Sequence, residues 1–221
     1  DAEALCRELT RMLGRRLSPA GLDALAGRGE LWSSQLIAAA MSGAGLDAAW
    51  VDIRPIMITD DRFTRASPQV EVMESRARST LVPLAASGTI AVTQGFVGST
   101  ADGRPTTLGR GGSDYTAALL GAALEVERVE IWTDVNGLMT ADPRIVPSAR
   151  TLAAASYEEA AELATFGAKI LHPATAQPLV KAGIPIVVLN STRPDEAGTI
   201  IEPSAELERM GLLKSIVTQN I

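Results

Sequence analysis

One cysteine, Cys6, and one histidine, His172, are all that the 221 residues contain of either type. A lone cysteine cannot close an internal disulfide, so a reducing cytoplasm is the expected setting. Aromatic residues make up only 4% of the chain. Ala, Gly, Leu and Val stand in their place, which suits close packing of helices on a sheet better than an all-β sandwich. Positive charge is not in excess either. The net charge of −6 argues against a nucleic-acid partner, which needs a basic face. No apolar run approaches the ~20 residues that span a bilayer, so no membrane partner is expected. The opening Asp1-Ala2-Glu3-Ala4-Leu5 has the pattern of neither a signal nor a transit peptide. It lacks an initiator methionine and starts inside an amphipathic pattern, so the chain is expected to be a fragment of a longer protein. Internal repeats and low-complexity segments are absent. What is present is an ordinary globular composition, 46% hydrophobic and 21% charged, long enough for one substantial core.

Helix and strand signals alternate along the chain. Leu5, Leu9, Met12 and Leu13 recur at helical spacing up to Gly14. Ser18-Pro19 reads as an N-cap with proline in the first turn, and residues 30–41 read as a second helical stretch ended by Gly43 and Gly45. Short strand segments are expected at 50–53 and 55–58, and a helix at 73–86 with Pro83 as an irregularity. Residues 90–93, bounded by Gly88 and Gly95, read as a buried strand, followed by a Gly- and Thr-rich loop through Gly112. Further helices are expected at 113–124, 157–164 and 173–182, with strands at 129–132 and 184–189. Strands alternating with helices of this length imply an open, mainly parallel sheet with helices on both faces, a three-layer α/β/α sandwich. Residues 1–205 are assigned to that domain, and 206–221 to a linker or strand leading toward a further domain.

Chemistry concentrates in Thr106-Thr107-Leu108-Gly109-Arg110-Gly111-Gly112-Ser113-Asp114-Tyr115-Thr116. The glycines let the backbone approach an anionic ligand, and the following helix start offers free N–H donors. Arg110 adds a planar fork suited to a carboxylate. The same residues also fit a plain turn with Ser113 as N-cap and Asp114 complementing the helix dipole. No Gly-Lys-Ser/Thr follows, which excludes a Walker-type phosphate loop, and Gly109, Gly111 and Gly112 do not have the spacing of a dinucleotide fingerprint. Elsewhere both readings stay open. Glu30 fits a solvated first-turn carboxylate, and Phe96 fits a core residue. Asp134 fits a strand end, and Asp142-Pro143-Arg144 a surface turn. Lys169 fits a snorkelling side chain, and His172 before Pro173 fits a capping or packing residue.

Taken together, several strings carry a resemblance. They are residues 109–115, Ile131-Trp132-Thr133-Asp134-Val135, Ala141-Asp142-Pro143-Arg144 and Phe166-Gly167-Ala168-Lys169-Ile170-Leu171-His172-Pro173-Ala174-Thr175. Gly29-Glu30-Leu31 and Val92-Thr93-Gln94-Gly95-Phe96 extend them upstream. In order and spacing, from about residue 27 to residue 201, they resemble the aspartate kinases of the amino acid kinase family. The resemblance implies transfer of the ATP γ-phosphoryl group to the β-carboxylate of L-aspartate, with ATP and Mg²⁺ as cofactors and no metal held by protein side chains. It implies that Arg110 holds the substrate α-carboxylate, that Glu30 lies near its ammonium, and that Phe96, Ser113 and Asp114 belong to the same substrate site. It gives Thr133, Asp134, Met139 and Arg144 to the nucleotide, and makes Lys169 and Asp114 the catalytic pair. Lys169 would reach the transferring phosphate and Asp114 would organise the lysines. Met139 departs from relatives that carry a tyrosine there, which leaves an apolar wall without a hydroxyl. His172 stays structural. By the same resemblance the protein is expected to be a homodimer.

A carboxylate acceptor with a pKa near ~3.9 is already ionised at neutral pH, so the absence of a histidine or cysteine poised as base or nucleophile is no objection. The reaction needs in-line positioning and charge neutralisation instead. The Lys-Phe-Gly-Gly-Thr-Ser-like loop of the family does not occur in residues 1–221, so the chain by itself is expected to bind weakly and turn over little. Two alternatives remain: another amino acid kinase acting on glutamate, acetylglutamate or carbamate, and a non-catalytic dimerisation or allosteric platform of the same fold.

Overall fold

The computed structural model describes residues 10, 17–165 and 173–203. The helical pattern of residues 5–13, Lys169, His172 and the strand-like tail at 212–221 lie outside the described residues. The chain divides into two compact units, residues 1–116 and 117–221.

The first unit is built on α1 (Pro19–Gly43). Ser18 caps it, its hydroxyl accepting from Gly21 N at 3.2 Å, and Pro19 at the first position loses no helical bond. The helix runs without a break through Gly27 and Gly29, so the stretch expected to start at Glu30 is the second part of one 25-residue helix. Gly27 has a packing reason. An added Cβ would stand 2.9 Å from Val97 Cγ1, so close approach outweighs the ~1 kcal/mol that glycine costs a helix interior.

β1 (Ala48–Trp50) pairs in parallel with β3 (Ile90–Val92), and β2 (Ile58–Thr59) in parallel with β4 (Val97–Thr100). β5 (Pro105–Thr107) returns antiparallel to β4. Between β2 and β3 in sequence, α2 (Val70–Ala86) accommodates Pro83 inside the helix. Two expectations are corrected here. β3 lies in a two-stranded sheet and Ile90 is 41% exposed, so it is not a buried central strand. The supposed Gly- and Thr-rich loop contains the β4–β5 hairpin, and every residue of β4 is buried. Its polar side chains are satisfied internally: Ser99 Oγ donates to Arg54 O at 2.8 Å, and Thr59 and Thr106 share a hydroxyl–hydroxyl bond of 2.8 Å.

A buried relay fixes the chain before Phe96. Gln94 Oε1 accepts from Ile53 N at 2.9 Å, and Gln94 Nε2 donates to Ser34 Oγ at 2.7 Å. Ser34 Oγ also accepts from Trp50 Nε1 at 3.0 Å and donates to Leu31 O at 3.0 Å. Gln94→Leu keeps the volume but strands the Ile53 N–H. It is expected to lower the unfolding free energy by about 2 kcal/mol in urea titrations. A loss below about 0.5 kcal/mol would show that water replaces the amide.

α3 (Gly112–Leu124) begins in the first unit, and its later turns belong to the second. There β6 (Val129–Thr133), β8 (Ile186–Asn190), β9 (Thr199–Glu202) and β7 (Ala154–Ser156) form one sheet in that order. β6–β8 and β7–β9 are parallel, β8–β9 antiparallel. Counting β1–β3 and β2–β4, parallel pairing predominates among the described residues, as expected. β8 alternates buried and half-buried positions, the signature of a strand with one face on the core. α4 (Tyr157–Thr165) and α5 (Pro173–Ala182) accompany this sheet, and the core gathers Leu138, Ala155, Leu179, Ile186, Val188 and Ile201. Thr199 is fully buried, donating to Leu152 O at 2.6 Å and accepting from Leu138 N at 2.9 Å.

Candidate functional site

In the first unit the Phe96 turn, the Thr64 loop and the start of α3 meet at glycines. An added Cβ at Gly95 would lie 2.8 Å from Ser113 Cα, and one at Gly112 2.9 Å from Phe96 Cδ2. Gly109, at φ +76, would place its Cβ 3.1 Å from Thr64 O. Phe96 itself sits at φ +69, a left-handed conformation that a bulky residue adopts only when its surroundings impose it. Those surroundings are visible. Leu108 N donates to Phe96 O at 2.8 Å, and Phe96 N donates to Thr116 Oγ1 at 3.1 Å.

Four of the expected substrate residues, Phe96, Arg110, Ser113 and Asp114, therefore share one loop–helix junction. Arg110 and Ser113 are exposed, and Arg110 forms no hydrogen bond or ion pair with any described residue. Asp114 is partly buried in the first turn of α3, its carboxylate without a described partner, and burial pushes its pKa up. Glu30 is partly buried on α1.

The raised Asp114 pKa has a stability consequence. As pH rises from the unfolded value of ~3.9, the unfolded chain releases this proton before the folded one does, so folding stability falls through that window and stays lower above it. Asp114→Asn removes the penalty. Its Tm is expected to exceed the parent's at pH 7, with the difference closing as the pH falls toward ~4. A variant less stable than the parent at pH 7 and unchanged at low pH would mean that the carboxylate is paired.

A buried acid that the sequence reading missed stands beside this junction. Asp23, 2% exposed, accepts from Thr64 N at 3.0 and 2.8 Å, from Thr107 N at 2.9 Å and from Thr107 Oγ1 at 2.8 Å. An acidic residue inside the apolar helical run Leu22-Asp23-Ala24-Leu25 was the available signal, because such a residue is buried only if paired.

In the second unit, Thr133 ends β6 and Asp134 follows it, exposed. They lie at the carboxyl end of a parallel pair, where open α/β sheets hold ligands. Ser191 N and Oγ both donate to Thr133 O, at 2.8 and 3.0 Å, and Asn190 Nδ2 donates to Asn136 Oδ1. Met139 forms an isolated bridge with Thr151. Arg144 lies in an exposed turn, its fork on Asp142 at 2.7 Å, and that bond holds the Asp142 carboxyl below the usual carboxylate range. Such an exposed pair is worth little. No described bond joins Arg144 to Thr133 or Asp134. An apolar cleft of about 160 Å³ lined by Tyr157, Ala160, Ala176, Val180, Ile186 and Ile201 contains none of the candidate residues.

An α/β fold with mainly parallel pairing and a glycine-rich, anion-ready helix start are features of a small-molecule kinase, and residues 2–190 match the amino acid kinase family. The chain belongs to that family. It is 48% identical over 184 residues to the lysine-sensitive aspartokinase 3 of Escherichia coli, a match covering 83% of this chain and 41% of the relative. A crystal structure of E. coli aspartokinase III in complex with aspartate and ADP superposes with a TM-score of 0.80 at 43% identity, covering 91% of this chain and 47% of that one. The aspartate kinase of Clostridium acetobutylicum gives a TM-score of 0.75 at 30% identity, over 88% of this chain and 42% of that one. The chain thus spans less than half the length of these relatives.

Proposed function

We propose that the chain carries the acceptor site and part of the nucleotide site of an aspartate kinase, which transfers the γ-phosphoryl group of Mg-ATP to the β-carboxylate of L-aspartate. The observation that carries this reading is the placement of the Arg110 guanidinium and the half-buried Asp114 carboxylate, both without a partner among the described residues, at the same glycine-lined helix start. An amino acid has the complementary charges. Arg110 would take its α-carboxylate through two parallel bonds, while Asp114 and Glu30 would receive its ammonium. The strained Phe96 and the exposed Ser113 would bound the rest of the substrate.

The β-carboxylate is already ionised and needs no general base. What the chain must supply is orientation and positive charge around the phosphoryl oxygens. Lys169, outside the described residues, would give that charge, and Thr133, Asp134, Met139 and Arg144 would hold the nucleotide. The family resemblance further suggests a homodimer. No helix among the described residues is long and apolar enough to cross a membrane.

Thermal unfolding with Mg-ATP, L-aspartate and L-glutamate added separately tests the reading. A ligand at 100 times its Kd adds roughly 2.7 kcal/mol. Mg-ATP and L-aspartate are each expected to raise the midpoint and L-glutamate to leave it unchanged. Equal stabilisation by glutamate, or none by aspartate, would overturn the assignment.

A further inference from the structure

We propose that Asp23 is a positioning residue of the acceptor site. On this assignment it holds the Arg110 loop at a fixed distance from the helix that carries Glu30. The inference rests on the acceptor-site reading above and adds to it a residue that touches no substrate.

A buried acid is ordinarily retained opposite a cation. Asp23 has no cation among its hydrogen-bond partners: both oxygens accept from the backbone or hydroxyl of Thr64 and Thr107, 41 and 84 residues away. One loop is that of Thr64. Thr64 is a β-branched residue at φ +71, a conformation it does not adopt unaided, and its N–H donates to both carboxylate oxygens. The Thr64 carbonyl then abuts Gly109, and Ala66 N donates to Thr107 O at 2.8 Å. The other loop begins at Thr107 itself, held through both N–H and hydroxyl. Leu108 is tied to Phe96, and Arg110 follows.

The Arg110 side chain makes no hydrogen bond or ion pair with a described residue, so its place is set by the backbone of residues 107–112. Glu30 lies on the helix of Asp23, ~10 Å farther along the axis at ~1.5 Å per residue. One carboxylate therefore sets the spacing between the group for the substrate's carboxylate and a group for its ammonium. An apolar residue could fill the same volume without fixing that spacing.

Two variants test this: Asp23→Asn, which turns one acceptor into a donor facing N–H groups, and Thr107→Val, which removes only the hydroxyl bond. L-Aspartate and Mg-ATP affinities are measured by calorimetry at a temperature where circular dichroism shows folded protein. Amide hydrogen exchange is followed on the same samples. Asp23→Asn is expected to weaken aspartate binding about 10-fold or more and Thr107→Val about 3-fold, with Mg-ATP binding within about 2-fold of the parent. Exchange is expected to rise at residues 60–66 and 107–112 and to stay unchanged in β1 and β3.

Affinities for both ligands falling together, with exchange rising throughout the first unit, would overturn the proposal and leave Asp23 a purely structural residue. If Asp23→Asn does not fold, Thr107→Val decides by the same pattern. Failure of the parent to bind aspartate would instead remove the acceptor-site reading. The exchange pattern would then still decide whether Asp23 orders the Arg110 loop.

Discussion

Arg110→Ala is expected to weaken L-aspartate binding about 100-fold or more, because truncating one partner of a directed charge pair leaves the substrate carboxylate desolvated and unmatched. Arg110→Lys keeps the charge but loses the planar fork, and is expected to weaken binding by about 10-fold. Neither change should disturb the fold. Arg110 is exposed and bonded to no described residue, and surface substitutions of that kind stay within about 0.5 kcal/mol. Mg-ATP affinity should be unaffected. Calorimetric titration of both ligands into the parent and both variants checks the ranking. Normal aspartate binding by a folded Arg110→Ala protein would remove Arg110 from the site.

The largest expected stability effect lies elsewhere, at Gly198. This residue leads into β9 at φ +67, and an added Cβ would stand 2.1 Å from Val188 O and 3.0 Å from Leu189 Cδ2. Gly183 has nearly the same φ, +66, with nothing within 4 Å of the built atom. Alanine at either position bears the left-handed cost of about 1 kcal/mol. At Gly198 it must also push β9 away from β8, where Val188 pairs with Thr199. Gly183→Ala is therefore expected to cost about 1 kcal/mol and Gly198→Ala more than about 3 kcal/mol in urea unfolding. Equal costs would mean that the β8–β9 approach is looser than the structure shows.

These two glycines also mark the limit of what could be read from the chain. The cap at Ser18, the helices α3, α4 and α5, and the strand β8 follow from local pattern and appear where expected. The Gly109–Asp114 string identified a junction that the structure does assemble, with Phe96 against it. The β4–β5 hairpin was hidden because, Val97 apart, its buried residues are threonine, serine and glycine, which carry no apolar alternation and whose hydroxyls find partners distant in sequence. β7, Ala-Ala-Ser, has no strand former at all. The break expected between Ser18 and Glu30 fails because Gly27 serves contact with Val97 and does not end the helix. Asp23 offered one signal, an acid within an apolar helical run, but nothing of its partners. A buried carboxylate is intelligible only once Thr64 and Thr107 stand around it.

The central claim, that the junction of the Phe96 turn with α3 binds L-aspartate, is tested most directly by mapping backbone amide chemical shifts of the isotope-labelled chain during titration with L-aspartate and then L-glutamate. Aspartate is expected to produce saturable shifts concentrated at residues 95–97 and 109–116 and at Glu30, and glutamate to leave those signals in place. Shifts confined to other regions, or the same map from both amino acids, would contradict the claim.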